Sequence, residues 1–344
     1  MPKRNFLQVK KFLIIGLNYM KIGKFSSEKL NEIVISKINN KRSEVVLSAS
    51  VGEDCAAIDL KDSLCVVSTD PITGAVNDVG KLSVNVSVND IASSGAEPVG
   101  ILITILVPPT ATYEQVEDVV LQISKTCDEM NLDIVGGHTE VTDAVNRIVV
   151  STTVLGKCDR DKLVTSSGAN IGDSIIITKQ IGLEGTAIIA KDYEKNLGGV
   201  LTDMQIETAK YQGEHLSVLV EGTIGAKYGV TSMHDITEGG IYGGLHEICT
   251  SSNVGAVIDK SLIPILDETK LICDHFDLNP YRLISSGSMI ITIKNPGKLI
   301  QVLEDSGIKA TIIGQITHGE IMVKDGQEYK VIGPPTPDEL FKLV

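Results

Sequence analysis

Asn85-Val86-Ser87-Val88-Asn89-Asp90-Ile91-Ala92-Ser93-Ser94-Gly95-Ala96-Glu97-Pro98, continued by the apolar run Val99–Val107, is the stretch on which the fold turns. Val79, Leu82, Val86 and Ile91 recur at helical spacing, which predicts a helix from Val79 to Ser94 although its valines resist helical rotamers. The apolar run is well short of the ~20 residues that a membrane helix needs, and Pro108-Pro109 stop it, so it reads as a buried strand. Outward from this pair, Thr112 and Gln115 form a capping box. Tyr113, Val116, Val120, Ile123, Cys127 and Met130 then mark one face of a long helix. Ser27–Asn39 reads as a further helix, and Ala56–Leu60 and Leu64–Thr69 as strands, the second ended by Asp70-Pro71. Strands Asp133–Val135 and Arg147–Leu155 bracket GGHTEV. The second half offers strands near 174–178, 231–233, 254–258, 289–293 and 311–315, alternating with helices near 185–192, 213–228, 239–251 and 297–305. Helices packed on a sheet in each half give an α+β or mixed α/β class, with the loop 157–172 as the domain boundary.

Three hundred and forty-four residues suit two domains, and 42% apolar residues suffice for sizeable cores. The net charge is −13, and seven of the 31 cations lie in the first thirty residues, so the remaining body is more acidic still. Such a body repels a nucleic-acid backbone, and a phosphorylated ligand would need metal ions for its positive charge. Six scattered cysteines without a C-x-x-C pair encode no zinc or redox motif and fit a reducing cytoplasm. No stretch is long enough to span a membrane. Residues 1–19, ahead of Met20, read as an extension without a structural role.

P-loop, dinucleotide, H-x-x-x-H and nucleophile-elbow signatures are absent. What remains is a series of acids at element ends: Gly52-Glu53-Asp54, Thr69-Asp70-Pro71, Asn89-Asp90 and Asp235-Ile236-Thr237-Glu238-Gly239-Gly240. Strand ends and helix starts meet at one edge of a sheet, where such carboxylates can share Mg2+, a hard cation that prefers oxygen. Taken singly, each acid is more often a turn former or a cap. Asp90 differs, because a carboxylate in an apolar-faced helix is costly to bury unpaired. Gly136-Gly137-His138-Thr139-Glu140 could bring backbone close to a ligand, and Gly239-Gly240 could present helix N–H groups to a phosphate.

In this order, GEDCAAID (52–59), STDP (68–71), NVSVNDIASSGAEP (85–98), GGHTEV (136–141), GLEGTA (182–187) and HDITEGG (234–240) resemble one superfamily. It comprises aminoimidazole ribonucleotide synthetase, thiamine-monophosphate kinase, selenophosphate synthetase and the hydrogenase maturation factor HypE, and the likeness is strongest to HypE-like proteins. The resemblance implies a two-domain α+β fold: an N-terminal domain, residues 20–157, dimerising through its sheet, and a C-terminal α+β domain, residues 168–335. It implies ATP in the cleft. Carried over by position, Asp54, Asp70, Asp90 and Asp235 hold Mg2+; Gly52, Asn89, Gly136, Gly137, His138, Thr139, Gly239 and Gly240 line the nucleotide; Glu140 and Asp90 are catalytic. Glu53 stands where the family pairs two aspartates, His138 where the kinase has an aspartate, and Glu238 where HypE carries an arginine. HypE modifies its own C-terminal cysteine, whereas the last cysteine here is Cys273. Three functions follow in order: ATP-dependent phosphorylation or activation of an unidentified small acceptor, a non-catalytic nucleotide-binding maturation partner, and a metal-dependent phosphatase.

Overall fold

The computed structural model describes residues 23–73 and 77–343, built on two mixed sheets with helices packed on them. The expectation for residues 1–19 lies outside the described residues. The first sheet holds β1 (Val45–Leu47), β2 (Ala56–Asp59), β3 (Leu64–Ile72), β4 (Glu97–Val107), β5 (Asp133–Val141) and β6 (Val149–Cys158), in the order β1-β2-β3-β6-β4-β5. Every neighbour is antiparallel except β4 and β5. α1 (Ser27–Ile33) is followed by a 3-10 turn at Ile35–Lys37 rather than continuing to Asn39.

Two strands run further than their sequence suggests. Asp70-Pro71 does not end β3, because β2 pairs only as far as Val67; beyond it Pro71 faces β6 alone and its missing N–H leaves no ladder bond unmade. GGHTEV is no turn either, since β5 runs through it beside β4.

α2 (Val79–Ser93) and α3 (Tyr113–Glu129) pack together, and α2 lies across β3 and β6. The capping box of α3 is made, Gln115 N donating to Thr112 Oγ1 at 3.3 Å and Thr112 N to Gln115 Oε1 at 2.9 Å. Its inward face differs from the expected stripe: Val119, Ile123 and Cys127 are buried, whereas Val120 and Tyr113 are exposed. Val66, Val84, Val88, Ile91, Ile101, Val150 and Val154 form the centre of this core.

The second sheet, in the order β13-β12-β9-β11-β7-β10-β8, holds β7 (Ser174–Thr178), β8 (Ser232–Asp235), β9 (Gly255–Asp259), β10 (Met289–Ile293), β11 (Ala310–Thr317), β12 (Ile321–Asp325) and β13 (Glu328–Val331). Around it stand α4 (Leu183–Asp192), α5 (Asp203–Tyr211), α6 (Leu219–Tyr228), α7 (Gly240–Ser252), α8 (Asp267–Phe276) and α9 (Gly297–Asp305). The helix expected over 213–228 begins only at Leu219, after a 3-10 turn at Gln212–Glu214.

α2 joins the halves. It touches β8 and α6 on the side away from the first sheet, so nearly every one of its residues is buried and no single apolar stripe exists. Its small polar residues bond locally, Ser83 Oγ to Gly80 O at 2.8 Å and Ser93 Oγ to Asn89 O at 2.8 Å, which satisfies them inside the core. At Gly222 of α6 a Cβ would stand 2.1 Å from Ala92 O, so the two helices meet at backbone distance.

Candidate functional site: an acidic centre between the two sheets

Three of the carboxylates picked from sequence converge. Asp54 comes from the turn before β2, Asp90 from the last turn of α2 and Asp235 from the end of β8, and each offers an oxygen within 4.8 Å of the other two. Asp90 and Asp235 are buried. Ser68 Oγ donates to Asp90 Oδ2, and Ser93 Oγ donates to Asp235 Oδ1 at 3.1 Å. Asp235 Oδ2 has no hydrogen-bond partner among the described residues. Burial, reinforced by the neighbouring carboxylates, pushes Asp90 far above the usual carboxylate range and Asp235 up to about 7. Asp54 goes the other way: burial raises it, but His234 and Lys24 outweigh that and hold it at about 2.

His234 Nδ1 lies 3.0 Å from Asp54 Oδ2, and Nε2 lies 2.8 Å from Glu247 Oε2 on α7. Between two carboxylates the ring is held protonated, its pKa raised although burial opposes the charge. Lys24 Nζ stands 3.8 Å from Glu247 Oε1. Oxygens around one Mg2+ at ~2.1 Å lie roughly 3–4 Å apart. An all-carboxylate set at this spacing, with a buried oxygen left unpartnered, fits that ion after a small contraction.

Asp70, at the end of β3, adjoins Asp90 in a cleft of about 130 Å3 that Asp54 and Glu184 also line. The other candidates fall elsewhere. Asn89 is fully buried, with Nδ2 donating to Leu216 O at 2.7 Å and Oδ1 accepting from Val218 N at 2.9 Å. Its amide clamps the two halves together and, with no exposed surface, presents nothing to the cleft in this arrangement. Gly52 packs on Ser251 and Glu247 of α7. Gly136, Gly137, His138, Thr139 and Glu140 lie on the exposed edge strand β5. Asp70 pairs with Thr152, Thr152 with Ile103 and Ile103 with Gly137, so three strand spacings, about 14 Å, separate them. A bulge in β5 precedes Gly137, whose Cβ would lie 2.0 Å from Ile103 O; the glycine serves strand packing. Within one chain Glu140 therefore does not reach the acidic centre, and its near neighbour is His138 at 3.3 Å.

Gly239 and Gly240 do begin α7, but its N-terminus is occupied: Gly239 N donates to Asp338 Oδ2 at 2.7 Å. Burial lifts Asp338 to about 6. Glu53, left open by its motif, accepts from Ser167 N at 3.0 Å and Ser166 N at 3.2 Å, fastening the segment between the sheets. Sequence reasoning missed Lys24, Glu247, Asp338 and Glu184. His234 and Glu184 stood inside quoted motifs, whereas no local pattern marks Glu247, which arrives through the packing of α7.

Residues 52–158 match the family model for the N-terminal domain of AIR synthase related proteins, and residues 170–325 match the model for their C-terminal domain. The chain belongs to the AIR synthase-related family. It is 28% identical over 306 residues to a hydrogenase expression/formation protein of Methanocaldococcus jannaschii, covering 85% of this chain and 88% of that one. To the carbamoyl dehydratase HypE of Rhizobium leguminosarum it is 26% identical, covering 84% and 79%. Among solved structures, HypE in its complex with HypF superposes with a TM-score of 0.72 at 20% identity, over 89% of this chain and 99% of that one. ThiL bound to AMPPCP and TMP gives 0.67 at 20% identity, over 82% and 91%. These likenesses settle the fold as the α+β arrangement of HypE and ThiL. Among the described residues no helix is long and apolar enough to cross a membrane.

Proposed function

We propose that this protein is a Mg2+-dependent, ATP-binding enzyme of the HypE-like type, which transfers the γ-phosphoryl group to an unidentified small acceptor or activates it that way. The convergence of Asp54, Asp90 and Asp235 carries the reading, because three carboxylates within 4.8 Å are tolerable together only when protonated or shared with a cation. Mg2+ held there, with Asp70 beside Asp90, would neutralise the phosphates as charge develops on them. The protein's own groups do the positioning: Ser68 and Ser93 orient Asp90 and Asp235, and His234 with Glu247 fixes Asp54. The nucleotides in the ThiL complex and in a HypE structure containing ATP support the choice of ligand. The hydrogenase-formation relatives support a role in metalloenzyme maturation.

In this reading the protein works as a cytoplasmic homodimer. The apolar residues Val99, Leu102, Ile134 and Val135, exposed on β4 and β5, pack against a second copy and bring Gly136–Glu140 into that contact. Calorimetric titration of ATP, once with Mg2+ and once with EDTA, tests the reading; binding that requires Mg2+ is expected, and no binding in either case sinks it. One observation favours a non-catalytic nucleotide-binding maturation partner instead: Asp338 already occupies the helix end expected to receive phosphate. ATP affinity without ADP release across an acceptor screen would select that alternative.

A further inference from the structure

Next to the acidic centre, but not part of it, Glu184 opens the first turn of α4 with 4% of its surface exposed. Its Oε2 has no hydrogen-bond partner among the described residues, and neither has the hydroxyl of fully buried Ser286 beside it. Both line the cleft that holds Asp54, Asp70 and Asp90. Burial, reinforced by the Asp338 and Glu238 carboxylates, pushes Glu184 up to about 7, with Ser286 opposing only in part. Glu238 and Asp338 border the same space. Lys24 is the one cation among the described residues lining it, and it is committed to Glu247 and Thr237.

A buried carboxylate oxygen and a buried hydroxyl beside it, both without a partner among the described residues, in a wall that carries carboxylates and no uncommitted cation, are costly unless a ligand bonds to them. An anionic group there would face Glu184, Glu238 and Asp338 together. The acceptors are single atoms on different residues rather than the two oxygens of one carboxylate. That arrangement suits a tetrahedral ammonium, whose three N–H bonds diverge, better than the planar fork of a guanidinium.

We propose that Glu184 and Ser286 form the acceptor subsite of this cleft, and that it takes a small molecule through a primary ammonium group. The inference rests on the acceptor-bearing reading given above. Ethylammonium and ethyl phosphate serve as probes, followed by saturation-transfer NMR on the full chain with saturating Mg2+, with and without AMPPCP. Ethylammonium is expected to bind with a millimolar Kd, near the ceiling for three heavy atoms. Glu184→Gln should weaken it at least tenfold and Ser286→Ala severalfold. Should Glu184→Gln not fold, the Ser286→Ala variant and the comparison of probes on the unaltered chain still decide. Ethyl phosphate binding as tightly, no ethylammonium binding at 50 mM, or insensitivity to the substitutions would overturn the proposal. So would a second bound Mg2+ equivalent that Glu184→Gln removes. Ethylammonium binding without any AMPPCP binding would leave the subsite standing and sink the ATP reading instead.

Discussion

The last turn of α2 and the edge strand β5 carried equal weight as ligand-bearing segments in the sequence, yet they end in opposite environments. Asn89 and Asp90 are buried where both sheets press on one helix, and every polar atom there is matched to a named partner or aimed into the cleft. His138 and Glu140 stand exposed and reach only each other. A carboxylate gains chemical leverage from the company burial forces on it. The same side chain on a strand left open within one chain is a solvated charge unless a second copy covers it.

The contrast breaks most directly at the acidic centre. Asp90→Asn should weaken Mg2+ binding, measured by calorimetry with the metal alone, by more than the 10–100-fold typical of groups that merely support a ligand. Glu140→Gln should leave it within twofold; equal losses in the two variants would erase the distinction. Next in size are the contacts that put α2 in place. Asn89→Ala strands a buried carbonyl and a buried N–H and should lower stability by about 2–3 kcal/mol in urea unfolding. Gly222→Val, which drives a side chain into Ala92 O, should cost about the same.

A smaller effect concerns pH. Glu184 and Asp235 at about 7 and Asp338 at about 6 bind protons in the folded chain that the unfolded chain has already released near pH 4. Their folded pKa values are raised, so folding stability falls as pH rises through 6 to 7. His234 acts in the same direction, since its raised pKa contributes stability at low pH that deprotonation removes. The melting temperature should therefore drop from pH 5 to pH 8, and Mg2+ should restore part of it at pH 8. A flat profile would mean that the carboxylates are better solvated than their burial implies. Least of all, His138→Ala should move the stability of the isolated protomer by no more than about 0.5 kcal/mol, as exposed positions usually do, and a larger loss that depends on protein concentration would place it in the contact between copies.

Local chemistry made part of this readable in advance. The capping box of α3 is complete in three residues, so Thr112 and Gln115 announce it without help from the rest of the chain. Val119 was passed over for Val120 because a stripe drawn on spacing alone cannot tell which flank meets the sheet. α5 carries the same capping box, Thr202 with Gln205, so its start was equally legible; α8 has no capping side chain and buries only Thr269, Ile272 and Cys273, too few to mark a face. Asp70-Pro71 looked like a stop because proline forfeits a ladder bond, and only the length of β2 removes that objection.

By itself the sequence determined the family and the α+β class, and it singled out Asp54, Asp70, Asp90 and Asp235 among the acids, because residue order is a property of the chain. Tertiary structure alone decided that Asn89 clamps the halves, that Asp338 fills the helix end offered by Gly239, and that Glu184 and Ser286 face the cleft unpartnered. Those outcomes depend on which groups far apart in the chain compete for the same donors, a competition that exists only once the two sheets have closed on α2.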